Sequence, residues 1–238
     1  MRLVNAVIML VDGILQFLVR KKHIVVFDDL RRNRPVSNIF GLERGTAIDR
    51  YYLEKFLKKN SSLVKGRILE VEDSFYSRKF ADENAASFEV LHAVPGNKAA
   101  TLVGDLTDTA TLPENAFDCF ICTQTFNFIF DVKEAIEGAH YLLKPGGVLL
   151  ATVSGISQIS RYDMDRWGDY WRFTTASMKK LLDPVFKGGV EIESYGNVLA
   201  ATAFLQGVSL EDLPDRSLLD HSDPDYQFLI TVIARKAI

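Results

Sequence analysis

Cysteine is nearly missing from the 238 residues: only Cys119 and Cys122 occur, with no second pair and no histidines beside them. That excludes a disulfide framework and a zinc site of the usual ligand spacing, and no other metal cluster is expected. The two thiols read as reduced core residues of a cytosolic protein rather than as a redox pair. Net charge is scarce as well. With 28 basic against 31 acidic side chains the formal charge is -3, so no global field draws the chain to nucleic acid, and only local clusters such as Arg31, Arg32 and Arg34 offer contacts of that kind. A clean membrane span is also lacking. The apolar stretch Leu3 to Val19 is interrupted by Asn5, Asp12, Gly13 and Gln16, is short for a bilayer, and precedes no small-residue cleavage site. Followed by Arg20, Lys21 and Lys22, it reads as an amphipathic helix that covers an apolar surface or a partner, with peripheral membrane contact as the alternative.

What is present is an ordinary globular composition, 47% hydrophobic and 25% charged, enough to bury a sizeable core. From Lys65 onward, short apolar β-branched runs alternate with helical patterns, which is the signature of a parallel sheet with helices on both faces. Strands are expected at Arg67 to Val71, Phe88 to Ala93, Thr101 to Val103, Phe117 to Thr123 and Gly147 to Val153. Val132 to Leu143 carries Ile136, Ala139 and Leu143 at helical spacing and stops at Lys144-Pro145-Gly146-Gly147. A helix from Thr175 should end or kink at Pro184. A strand at Val190 to Tyr195, a helix at Val198 to Val208 and a closing antiparallel strand at Phe228 to Ala234 complete the pattern, with Glu211 to Asp225 a polar loop. Upstream, Thr46 and Asp49 resemble a capping box for a helix whose stripe is Ile48, Tyr52 and Phe56. The expected organisation is an N-terminal helical extension and cap over 1–64 and an α/β domain over 65–238.

In an open parallel sheet, ligands sit outside the carboxyl ends of the strands. The residues there are Glu70 to Ser74, Gly104 to Leu106, Gln124 to Asn127 and Ser154 to Ser157. No Gly-x-Gly-x-x-Gly follows the first strand, which argues against a nicotinamide dehydrogenase.

The order Arg-Ile-Leu-Glu-Val at 67–71, Gly-Asp-Leu at 104–106, Ala-Phe-Asp-Cys at 116–119 and Leu-Lys-Pro-Gly-Gly-Val-Leu-Leu at 143–150 resembles the class I S-adenosylmethionine-dependent methyltransferases. The resemblance covers about Gly66 to Lys236. It implies a doubly wound, mostly parallel, Rossmann-like methyltransferase fold with S-adenosylmethionine as cofactor. Arg44 to Tyr52 and Trp167 to Thr174 resemble, more narrowly, a bacterial subgroup associated with glycosyltransferases and surface polysaccharide assembly. The resemblance implies Glu70 near the methionine amino group, Asp105 accepting from the adenine amino group with Leu106 against the ring, and Gln124 and Thr125 along the cofactor. Glu72, Asp73 and Ser74 stand where glycines are usual. Glu72 would face the cofactor carboxylate unless it points away or pairs with a cation. Instead of the usual acid for the ribose hydroxyls, the second strand offers His92.

The acceptor segment is expected at Arg161 to Arg172, where aromatic surfaces mix with carboxylates and guanidinium groups. Asp169 and Arg172 are read as functional, and Trp171 and Phe173 as packing residues. A base for O-methylation would come from Asp163, Asp165, Asp169 or His221. The leading expectation is a cytoplasmic enzyme that methylates a hydroxyl of a carbohydrate or glycan precursor, with peripheral membrane or glycosyltransferase contact through the N-terminal helix. The alternative is a non-catalytic module of the same fold accompanying glycosyltransferases.

Overall fold

Alternation of apolar side chains along the strands builds two cores on opposite faces of one sheet. Leu69, Phe120, Cys122, Leu149 and Ala151 face one core, while Ile68, Cys119, Ile121, Val148 and Leu150 face the other, the two-residue period of a strand buried on both sides. The computed structural model describes residues 31–238, so the helix expected over 3–19 lies outside the described residues. Residues 35–238 form one compact unit. Its strands are β1 (Gly66–Val71), β2 (Ala85–His92), β3 (Leu102–Val103), β4 (Phe117–Thr123), β5 (Leu143–Ser154), β6 (Val190–Tyr195) and β7 (Leu229–Arg235). They lie in the order β3-β2-β1-β4-β5-β7-β6. All pairs are parallel except those of β7, which runs antiparallel to β5 and β6.

The helices are α1 (Ile48–Lys59), α2 (Phe75–Phe80), α3 (Val132–Leu142), α4 (Arg161–Met164), α5 (Thr175–Phe186) and α6 (Val198–Gln206). Ile136, Ala139 and Leu142 of α3 and Met178, Leu182 and Phe186 of α5 fill the first core. Ile48, Tyr52, Leu53, Phe56 and Leu57 of α1 join Ala200, Ala203 and Phe204 of α6 in the second. Each large side chain so buried contributes roughly 1.5 to 3 kcal/mol. Gly138 lets α3 approach the β3 exit loop, because a Cβ there would overlap the Leu106 carbonyl oxygen. Both cysteines are free and buried, and burial pushes the Cys122 thiol up to about 12.

Two local expectations change. Thr46 does not cap α1: Ala47 occupies the N-cap without a side-chain bond. The Thr46 amide and hydroxyl donate instead to Glu211, at 2.6 and 3.1 Å. The Lys144-Pro145-Gly146-Gly147 stretch is a bulge inside β5, where Leu143 already pairs with Phe117 and the register resumes at Cys119–Val148. At Pro184, where an end or a kink is expected, α5 does not end but runs on to Phe186 and closes at Lys187 in the left-handed conformation. The polar 211–225 segment contains 3-10 turns at Leu210–Asp212 and Arg216–Asp220.

Candidate active site

After β1 the chain passes to α2 on one face, and after β4 to α3 on the other, so a crevice opens where the strand order reverses. A cleft of about 860 Å³ lies there. Glu70, Glu72, Asp73, His92, Asp105, Leu106, Gln124, Thr125, Asp163, Asp169 and Arg172 all line it. Ser74, Asp165 and His221 do not, so the structure does not bring these three expected residues to the cleft with the others. Ser74 turns to Arg78, whose Nε donates to its hydroxyl. Asp165 is exposed beside Arg161, and His221 is exposed, its carbonyl accepting from Asn197.

The buried Glu70 carboxylate accepts from the amides of Tyr76 at 3.0 Å and Ser77 at 2.7 Å, and so ties the end of β1 to the start of α2. Burial pushes this carboxyl above its ordinary value, against the pull of those donors. Glu72 adopts φ 74°, the left-handed region that a glycine would occupy at little cost. Its largely exposed carboxylate stands 3.3 Å from His92 Nε2, so the extra charge pairs with a cationic or donor ring at the β2 end. Gln124 also has positive φ, 50°, and its Oε1 accepts from the Ser154 hydroxyl at 2.7 Å. Strained residues at two strand exits are of the kind that clusters at functional sites.

At the β3 exit, Asp105 Oδ1 accepts from the Thr107 amide and hydroxyl, both at 2.8 Å, and no bond to the other carboxylate oxygen is seen among the described residues. Turn formation therefore occupies one carboxylate oxygen and leaves the other without a protein donor among the described residues. Leu106 beside it is buried.

The opposite wall is the 157–172 segment. Asp169, 1% exposed in its side chain, pairs with both terminal nitrogens of Arg172 at 2.5 and 2.9 Å and accepts from the Ser160 amide at 2.9 Å. Arg172 also donates to the Ser157, Gln158 and Trp171 carbonyls. The pair holds the segment together from within. Asp163 has one oxygen bonded to the Ser160 hydroxyl and the other facing no protein donor among the described residues. Trp171 Nε1 donates to the Ile129 and Phe130 carbonyls, and Phe173 is buried against α5. Phe130, Tyr162, Trp167 and Tyr170 are exposed at the rim, and the Trp167 ring meets His92 edge-on with centroids 5.7 Å apart.

Sequence reasoning missed Asn127, Asp49, Arg50 and Tyr76. Buried Asn127 accepts from the Ser154 amide through its side chain and from the Tyr170 and Trp171 amides through its carbonyl. It was visible only as the end of the β4 exit stretch. Asp49 and Arg50 line the cleft from α1, inside the Arg44 to Tyr52 motif. That motif is held by Arg44 forked onto Asp212 at 2.8 and 2.9 Å.

Comparison with known proteins agrees with this geometry. Residues 52–151 match the family described as methyltransferase domain. A human protein named mitochondrial arginine-hydroxylase NDUFAF5 is 29% identical over 129 residues, covering 53% of this chain and 31% of its own length. The chain thus spans about a third of that relative. Among solved structures, a phosphoethanolamine N-methyltransferase from Haemonchus contortus in complex with S-adenosyl-L-methionine superposes with a TM-score of 0.53 at 15% identity, covering 79% of this chain and 53% of that one. A SAM-dependent methyltransferase from Archaeoglobus fulgidus gives 0.51 at 14% identity over 79% and 94%. The residues around the cleft fit such a cofactor: Asp105 has an acceptor to spare, Leu106 offers an apolar surface, and carboxylates outnumber guanidinium groups around a ligand carrying a sulfonium cation. The chain thus shares the Rossmann-like methyltransferase fold of these structures, and its residues 52–151 match the methyltransferase domain family.

Proposed function

We propose that the chain transfers a methyl group from S-adenosylmethionine to a hydroxyl of a small acceptor of carbohydrate or glycan-precursor type. The observation that carries this reading is the division of one cleft into two walls of different chemistry. Strand exits β1, β2 and β3 supply Glu70, His92 and Asp105, while the 157–172 segment supplies exposed rings and Asp163. Flat rings beside carboxylates and a guanidinium suit the apolar face and hydroxyls of a sugar.

S-adenosylmethionine supplies an electrophilic methyl group on a sulfonium sulfur. The chain's own residues orient the acceptor and take its proton. Asp163 is the base of choice, because Asp169 is committed to Arg172 and the Ser160 amide, whereas Asp163 keeps an oxygen free of protein donors. Asp169 and Arg172 then serve as positioning residues, fixing the wall on which Asp163 sits. Much of the rate would come from that alignment.

The polysaccharide context and a glycosyltransferase partner rest on the Arg44 to Tyr52 and Trp167 to Thr174 resemblance alone. The partner or membrane contact of residues 1–30, their separation with 31–64 as an N-terminal extension and cap, and a cytoplasmic location rest on composition. Incubating the protein with S-adenosylmethionine and a panel of mono- and oligosaccharides, followed by mass spectrometry, tests the reading. One methylene gained per S-adenosylhomocysteine formed supports it. A product that gains oxygen would favour a hydroxylase, the activity named for the human relative. Failure to bind S-adenosylhomocysteine would favour a non-catalytic module, for which Glu72 in a glycine-like conformation is the supporting observation.

A further inference from the structure

The guanidinium groups lining the cleft are Arg50, Arg166 and Arg172. Arg172 is consumed by Asp169 and three carbonyls. Arg166 lies 3.5 Å over the Tyr162 ring and donates to the Tyr162 carbonyl. Arg50 is different. It projects from the first turn of α1, half-buried, with Nη1 3.9 Å from the Asp49 carboxylate and the Tyr76 hydroxyl beside it. At 3.9 Å this contact is too long for a hydrogen bond, so the donors of the fork are not spent on it. Asp49 Oδ1 is buried without any hydrogen-bond partner, an arrangement that costs stability unless a donor reaches it.

Asp49, Arg50 and Tyr76 line the same cleft as Glu70, Glu72 and Asp73. A ligand carboxylate entering among those acids would be repelled unless a cation met it. A guanidinium fork next to an unsatisfied carboxylate oxygen is complementary to a carboxylate carried beside an ammonium. We propose that Asp49 and Arg50 form a zwitterion clamp for the α-amino acid end of the cofactor, Arg50 taking its carboxylate and Asp49 its ammonium. This assignment rests on the S-adenosylmethionine reading above. The anchoring of the Arg44 to Ala47 segment on Glu211 and Asp212 sets the position of both residues.

The test is calorimetric titration of the full chain with two ligands. S-adenosylhomocysteine carries the amino-acid end, and 5′-methylthioadenosine lacks it. In Arg50→Gln the affinity for S-adenosylhomocysteine should fall about ten- to hundredfold, as expected for loss of a charge-assisted fork, while that for 5′-methylthioadenosine stays at the parental value. Arg50→Lys, which keeps the charge, should recover part of the loss. Equal losses for both ligands, or none for either, would overturn the clamp while leaving the cofactor reading standing. If the parent protein binds neither ligand, the cofactor reading fails first and the clamp with it. An unchanged melting curve for Arg50→Lys separates these outcomes from misfolding.

Discussion

Asp169→Asn is the substitution whose consequences the structure fixes most closely. Asparagine keeps the shape and the acceptor for the Ser160 amide, but it removes the charge opposite Arg172 and turns an amide N–H₂ toward a guanidinium. Unpairing a buried ion pair costs about 3 to 5 kcal/mol. Arg172 is 27% exposed in its side chain, so water relieves part of that, leaving about 2 to 3 kcal/mol. The cost falls on the 157–172 wall, which gives the cores little beyond the partly buried Trp171, so the wall opens while the sheet stays folded. Hydrogen exchange should report it: amide protection over 158–172 falls about 30- to 150-fold, the equivalent of that free energy. The global melting temperature drops by less than about 2 °C, short of the roughly 4 to 12 °C such a cost would give if spread over the whole unit. S-adenosylhomocysteine binding stays near parental and methyl transfer is lost. Loss of transfer with unaltered exchange would make Asp169 a chemical participant instead of a positioning residue. Unaltered exchange and unaltered transfer would leave Asp169 with neither a positioning nor a chemical role.

Asp105→Asn keeps the turn to Thr107, so melting should be unchanged while S-adenosylhomocysteine binding weakens by about 1 to 3 kcal/mol; equal binding in calorimetry removes Asp105 from the adenine site. Glu72→Gly relieves about 1 kcal/mol of left-handed strain but loses an exposed pair and adds chain entropy, for a net gain of at most about 0.5 kcal/mol. Cofactor affinity should hold or improve, and weaker binding in the same titration would mean that the carboxylate beside His92 contacts the ligand. Glu70 has a folded-state pKa raised by burial, so the stability it contributes is full below the ordinary glutamate range and is lost as pH rises through the raised value. The stability of Glu70→Gln relative to the parent should therefore shift in the variant's favour from acid toward neutral pH, and a difference flat with pH in urea melts would contradict this.

The sheet was legible because its central strands are largely apolar runs and its β6 edge alternates apolar with polar side chains. Phe117–Thr123 and Val190–Tyr195 begin and end where the side chains say they should. Local chemistry misled where a distant partner decided the outcome. Thr46 looks like a cap, yet Glu211, 165 positions later, takes its amide. Pro145-Gly146-Gly147 looks like a turn, but neighbouring Phe117 pairs with Leu143 across the bulge. In the site, strand-end residues reached the cleft as expected because topology delivers them there. Asp163 and Asp165, two residues apart, are indistinguishable in sequence, but α4 places only Asp163 along the cleft. Asp49 and Arg50 were hidden because α1 precedes the sheet in the chain and meets the cleft only after folding.

The antiparallel insertion of β7 between β5 and β6 has a consequence during synthesis. Seven residues of β7 pair with β5 and six with β6, and until Leu229–Arg235 has left the ribosome, β5 presents an open hydrogen-bonding edge of buried-type residues. β1 to β5 can assemble as the polypeptide grows, but β6 has no seat before β7 arrives. A nascent chain stalled between these two events carries an unpaired edge of the kind on which chaperones act and from which aggregates grow. Translation speed across 155–228 therefore sets how long that edge stays open, and slow codons there should lower soluble yield without altering the finished protein.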